Sequence, residues 1–164
     1  MIRFNGGFRL ALVLFLAFAV AAKADNPPAK PAALASLESM VGNLGYKTTD
    51  AADNQAFSIT WDGKYNYIVH FDLSHDGTLG YAYIDLTTFK PEQVAKLQFV
   101  KLLEASDVSD FYFSMENNTD GETLYANAIL PLDGLTPESL RSTLDSWINK
   151  VDSSDALWNP DLWK

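Results

Sequence analysis

The sequence contains no cysteine. That absence removes disulfides, thiol nucleophiles and thiolate-bound zinc together. Histidine is nearly absent as well, with only His70 and His75, so imidazole chemistry has two side chains to draw on. No Gly-x-Ser-x-Gly run occurs, and no serine, histidine and acid are spaced as a nucleophilic set. Basic residues are scarce, 12 Lys and Arg against 21 Asp and Glu, for a net charge of −9. A chain this acidic, without a basic patch, repels nucleic acid and anionic lipid, and neither is expected as a partner. Its apolar runs all fall short of the roughly 20 residues that a membrane-spanning helix needs.

The longest apolar run, residues 10–22, follows Arg3 and Arg9 and ends in Ala22-Lys23-Ala24. A basic start, a short apolar centre and a small-x-small end form a secretory signal peptide, with cleavage expected between Ala24 and Asp25. Removing residues 1–24 takes away Arg3, Arg9 and Lys23, leaving nine basic residues against 21 acidic ones and a net charge of −12. The expected location is secreted or periplasmic, with no membrane attachment once the signal is removed. Residues 25–31 carry three prolines and read as a flexible leader. Residues 32–164 then form a single domain. With no disulfide available, that domain is held by its core, and a chain of this size buries roughly two thirds of its unfolded surface.

Residues 56–86 organise that domain, reading as three antiparallel strands. Phe57, Ile59 and Trp61 alternate with Ser58, Thr60 and Asp62; Tyr65, Tyr67, Val69, Phe71 and Leu73 alternate with mostly polar neighbours; a third run passes through Tyr81, Tyr83 and Ile84. A period of two gives each strand one apolar face. Asp62-Gly63 and Asp76-Gly77 mark the joints, because Asp-Gly is a hairpin signal in which glycine accepts a positive φ. A second pair follows. Phe111, Phe113 and Met115 alternate with Tyr112 and Ser114, residues 117–121 turn the chain, and residues 122–132 return.

Three helices complete the pattern. Residues 32–44 place Leu34, Leu37, Val41 and Leu44 on one stripe, and Gly45 sits where a helix end turns left-handed. Pro91 opens a helix to residue 104 with Val94, Leu97, Val100 and Leu103 on one side; Lys90 is a poor N-cap for it. Thr136 caps the last helix, Pro137 takes its first position, Leu135 can staple onto Leu140, and Leu140, Leu144, Trp147, Ile148 and Val151 form its stripe. The aromatic tail, residues 157–163, is too apolar to hang free and is expected to pack back. The order α-β-β-β-α-β-β-α predicts an α+β fold, a five-stranded mainly antiparallel sheet with the helices largely on one face.

That order, a lone helix dividing three strands from two, resembles the type III secretion chaperone-like fold, and within it the YbjN family. Ile129-Leu130-Pro131-Leu132 leading into Gly134-Leu135-Thr136-Pro137-Glu138-Ser139-Leu140 carries the resemblance most directly. The resemblance implies a small, acidic, often dimeric protein that binds other polypeptides, without catalytic residues or cofactors. The signal peptide departs from it, since secretion chaperones act inside the cell.

The remaining candidates are weighed on their chemistry. His70 and His75 with Asp72 and Asp76 offer ligand types for a metal, but neighbours on one strand and its turn rarely converge. Glu116, Asn118 and Asp120 before Gly121 echo half a calcium loop, yet the twelfth position is Asn127 and the flanks read as strands, so a hairpin is expected. No catalytic, cofactor-binding or metal residue is therefore assigned. If the apolar residues of the last two strands face the helices, Tyr112, Tyr125, Asn127 and Ile129 face away, joined by Ile68 and His70. These six form the expected face for a polypeptide partner or a second copy. The alternatives are a small envelope enzyme and an inhibitor of an extracellular enzyme presenting residues 117–121.

Overall fold

The structure is a computed structural model that describes residues 27–106 and 111–163. The expected signal peptide lies outside the described residues.

Among the described residues, six strands form one antiparallel sheet in the order β1-β2-β3-β4-β6-β5. They are β1 (Thr49–Asp50), β2 (Phe57–Asp62), β3 (Asn66–Leu73), β4 (Leu79–Phe89), β5 (Phe111–Asn118) and β6 (Gly121–Pro131). Five had been expected. The additional strand, β1, is two exposed residues paired to the edge of β2, too short to show an alternation. The helices are α1 (Ala32–Asn43), α2 (Pro91–Val94), α3 (Phe99–Ala105), α4 (Pro137–Ser153) and α5 (Asp155–Trp158), followed by a short 3₁₀ turn at Pro160–Leu162.

One face of the sheet is the core. Phe57 and Ile59 of β2, Val69 and Phe71 of β3, Ala82 and Ile84 of β4, and Leu124, Ala126, Ala128 and Leu130 of β6 are all buried on it. Leu34, Leu37 and Val41 of α1, and the complete expected stripe of α4, are buried against this layer. Gly80 allows the close approach, since a Cβ there would meet Leu37 Cδ2 at 3.1 Å. At the start of α4 the Thr136 hydroxyl accepts the Ser139 N–H at 3.2 Å, and the Ser139 hydroxyl accepts the Thr136 N–H at 3.0 Å. The reciprocal pair satisfies donors that a helix start leaves open.

The helix expected over 91–104 is two. Gln98, at φ −89° and ψ 64°, breaks it, turning Leu97 into the core while Val100 and Leu103 stay 69% and 70% exposed. Both periods place an apolar residue every third position here, so spacing alone could not separate one helix from two short ones. Lys90 does not cap α2 with its side chain; Gln93 Oε1 accepts the Lys90 N–H instead, at 2.9 Å. Gly77 has the positive φ expected of a hairpin glycine, 68°. Gly63 serves differently, since a Cβ there would come 3.3 Å from Asp152 Oδ2. The tail packs back, with Trp158 buried and Trp163 stacked on Phe89 at 5.6 Å between ring centres.

Two irregularities shape the sheet. Between Asp85 and Thr87 the register with β6 slips, leaving Leu86 as an extra residue. This bulge reverses the alternation of β4, so that Phe89 enters the core although Tyr81, Tyr83 and Asp85 point the other way. In addition, β3 pairs with β4 only from His70–Tyr83 to Leu73–Gly80. Beyond His70 the two strands part, and a cleft of about 650 Å³ opens between them, lined by Tyr65, Ile68, Leu86, Trp158 and Pro160 among others.

Candidate functional site

The second sheet face is the candidate site. Cross-strand pairing aligns Ser58, His70, Tyr83, Asn127 and Tyr112 in one row across β2, β3, β4, β6 and β5. Asp72, Tyr81 and Ile129 form a row on one side of it, and Asp85, Tyr125 and Ser114 a row on the other. None of these side chains is buried, and Ile68, next to the parting of β3 and β4, is 57% exposed. The face therefore lies open while the helices α1 and α4 pack on its opposite.

The rows are ordered by stacking and by one amide. The His70 imidazole stacks on Tyr83 at 5.0 Å, and Tyr83 meets Tyr125 edge to face at 6.3 Å. Asn127 Nδ2 donates to Ser114 Oγ at 2.9 Å and to the Tyr112 carbonyl at 3.3 Å, which ties β5 to β6 on this side. Between these groups lies a hollow of about 360 Å³, lined by Tyr81, Tyr83, Tyr112 and Tyr125 together with Asp72 and Glu116. Four of the chain's seven tyrosines thus surround one depression.

Its electrostatics have one sign. Burial holds the Tyr83 hydroxyl above the usual tyrosine range, and the charges of Asp72, Asp85 and Glu116 push it further. Tyr125 is raised by burial and by Asp85 and Glu116; Tyr112 is raised by burial, then by Tyr81 and Asp72. Burial also raises the Asp72 carboxyl, opposed by the His70 imidazole. Asp72 Oδ1 is withdrawn from solvent and makes no hydrogen bond. The neighbours that raise these tyrosines are carboxylates and other tyrosines.

The structure brings Tyr112, Tyr125, Asn127, Ile129, His70 and Ile68 onto the same face, as the alternation required. Sequence reasoning did not place Tyr81, Tyr83 and Glu116 on this face. Asp85, in phase with the two tyrosines, was the available signal that they point away from the core. His75 sits apart in the turn after β3, where Asp76 Oδ1 accepts from Ser74 Oγ at 2.6 Å, Thr78 Oγ1 at 2.8 Å and the Thr78 N–H at 3.1 Å. No group of three or more His, Asp and Glu side chains among the described residues is arranged to hold a metal ion. The expected turn at 117–121 is a hairpin with Thr119 and Asp120 at its tip, Asn118 Oδ1 accepting the Asp120 N–H at 3.0 Å.

A charged set adjoins the cleft between β3 and β4 at Tyr65 and Asn159. Tyr65 Oη donates to Asp155 Oδ2 at 2.7 Å, Asn159 Nδ2 donates to Tyr65 Oη at 3.2 Å, and Lys64 pairs with Asp155. The Lys64 ammonium, followed by the Tyr65 hydroxyl, holds the Asp155 carboxyl below the usual carboxylate range. Every polar group in this set has a partner, so it fastens the tail rather than offering a vacancy.

No protein-family model matches the chain, and no curated protein matches it. Among solved structures it is similar to the crystal structure of YbjN from E. coli, described there as a proposed transcription regulator. The TM-score is 0.57 and the identity 17%, over 75% of this chain and 91% of that one. The fold is YbjN-like.

Proposed function

We propose that the chain is an exported, non-enzymatic binding domain that takes a polypeptide on the open face of its sheet. One observation carries this reading: helices cover one sheet face, while the other presents a tyrosine-rich surface from Ser58 to Tyr112 that nothing covers among the described residues. Sheet faces of mixed aromatic and polar composition suit a protein partner better than a small apolar ligand, which would need enclosure. The YbjN-like fold is consistent with a binding role. The inhibitor alternative gains nothing from the tip at Thr119 and Asp120, because a two-residue turn protrudes little.

The test uses fluorescent peptides of about ten residues, long enough to cross five strands spaced about 4.8 Å apart. Anisotropy titrations should give saturable binding. Tyr112→Asp and Tyr125→Asp should each weaken it about tenfold, or roughly 1.4 kcal/mol, with the melting temperature kept. Light scattering on the same samples reads self-association. If no peptide binds and the protein remains a monomer, the reading is wrong.

A further inference from the structure

The tyrosine-walled hollow has a chemistry more specific than an open sheet face requires. Aromatic ring faces carry partial negative charge, and a cation held over such a face is attracted by it. Here four tyrosines line one hollow, with Tyr83 and Tyr125 edge to face at 67° to one another. Asp72 and Glu116 line it too, and Asp85 bears on Tyr83 and Tyr125 from the neighbouring row. Among the described residues, no Lys or Arg lines the hollow. Asp72 Oδ1 stands buried and without a donor, and an unpaired oxygen of this kind is costly until something donates to it.

We infer that this hollow receives a lysine or arginine side chain of the bound polypeptide, its cationic head placed among Tyr81, Tyr83, Tyr112 and Tyr125 and within reach of Asp72 and Glu116. The inference rests on the polypeptide-binding reading above and adds the chemical class of the anchoring residue. A polypeptide is favoured over a free amine because the hollow is continuous with the row through His70 to Ser58, so residues flanking the anchor also find contacts. A long-range term acts in the same direction. A net charge of −9 speeds the approach of a basic segment and slows that of an acidic one.

The experiment compares peptides identical except at one central position, which carries Lys, Arg, norleucine, Gln or Glu. Anisotropy titrations at low and high salt should show the Lys and Arg peptides binding about tenfold more tightly than norleucine at low salt, with a smaller margin at high salt. Glu116→Gln and Asp72→Asn should reduce that margin several-fold, the Lys and Arg peptides losing more affinity than the norleucine peptide. Tyr83→Leu should also narrow the margin. Should that variant fail to fold, the exposed Glu116→Gln still decides the matter. Equal binding of all five peptides would overturn the cationic anchor and leave the polypeptide-binding reading standing. Tight binding of spermine with no binding of any peptide, or no binding at all, would overturn both.

Discussion

Tyr67 and Asp152 join the start of β3 to the end of α4, the tyrosine hydroxyl donating to Asp152 Oδ1 at 2.6 Å. The other carboxylate oxygen accepts the Lys64 N–H at 3.3 Å, so one side chain fastens both the β2–β3 turn and the strand after it. Burial, followed by the bond to Asp152, pushes the Tyr67 hydroxyl far above its usual range. Tyr67→Phe removes the donor and should lower stability at neutral pH by about 1 kcal/mol. Its pH signature has a definite sign. Because the folded protein keeps the Tyr67 proton, stability is full below the ordinary tyrosine value of about 10 and falls as the pH rises past it. Urea unfolding at pH 7 and pH 11 should show a smaller alkaline loss in the phenylalanine variant than in the parent.

Gly121 opens β6 at φ 140°, and a Cβ there would lie 2.4 Å from the Phe89 carbonyl oxygen. Gly121→Ala therefore meets both a strained backbone and a backbone clash, and should cost about 2–3 kcal/mol. Gly134→Ala meets only the strain, since nothing lies within 4 Å of its Cβ position, and should cost distinctly less. Equal urea midpoints for the two variants would show that the approach of β4 to the hairpin is not as tight as described.

Trp158 of the tail is buried and donates Nε1–H to the Val151 carbonyl at 3.1 Å. It also meets Tyr65 edge to face at 5.5 Å. Trp158→Ala should lower the unfolding free energy by about 3–5 kcal/mol and weaken the near-ultraviolet circular dichroism. A loss below 1 kcal/mol would mean the tail is an attachment that the domain can do without.

Asp76 lies in the turn between β3 and β4. Its carboxyl is held at about 2 by the Ser74 hydroxyl first, then by the Thr78 N–H and hydroxyl. Stability from this group is present above the ordinary carboxylate value and is lost as the pH falls toward about 2. Asp76→Asn should flatten the loss of thermal stability between pH 4 and pH 2, as followed by melting curves.

Much of this architecture was legible in the sequence, for reasons that differ along the chain. The stripe from Leu140 to Val151 and the cap at Thr136 were readable because helix spacing and capping are local. The outward placement of Tyr112, Tyr125 and Asn127 followed from parity alone. Parity failed on β4. Leu86 is an extra residue there, so Tyr81 and Phe89 share an odd number yet face opposite sides, and no local composition announces a bulge. Side-chain size also misleads on this strand, where small Ala82 enters the core and large Tyr81 and Tyr83 stay out. The break at Gln98 depends on Leu97 finding room beneath the sheet, a tertiary circumstance invisible in a window of fifteen residues. The hollow itself combines rows from β3, β4, β5 and β6. Only the strand order, with β6 inserted between β4 and β5, places Glu116 near Tyr83.

The parting of β3 from β4 divides the molecule mechanically. With only residues 70–73 laddered to residues 80–83, the β1–β2–β3 ribbon is attached to the remaining sheet by a short seam, and α1, α4 and the tail supply the rest of its hold. Amide protons on either side of that seam should exchange as two cooperative units of unequal protection, the ribbon opening at lower free energy than the β4–β6–β5 block. The rows of the tyrosine face cross this seam at His70 and Tyr83. A partner lying along them would act as a splint, and its occupancy would register as slowed exchange in β2 and β3, well away from the hollow itself.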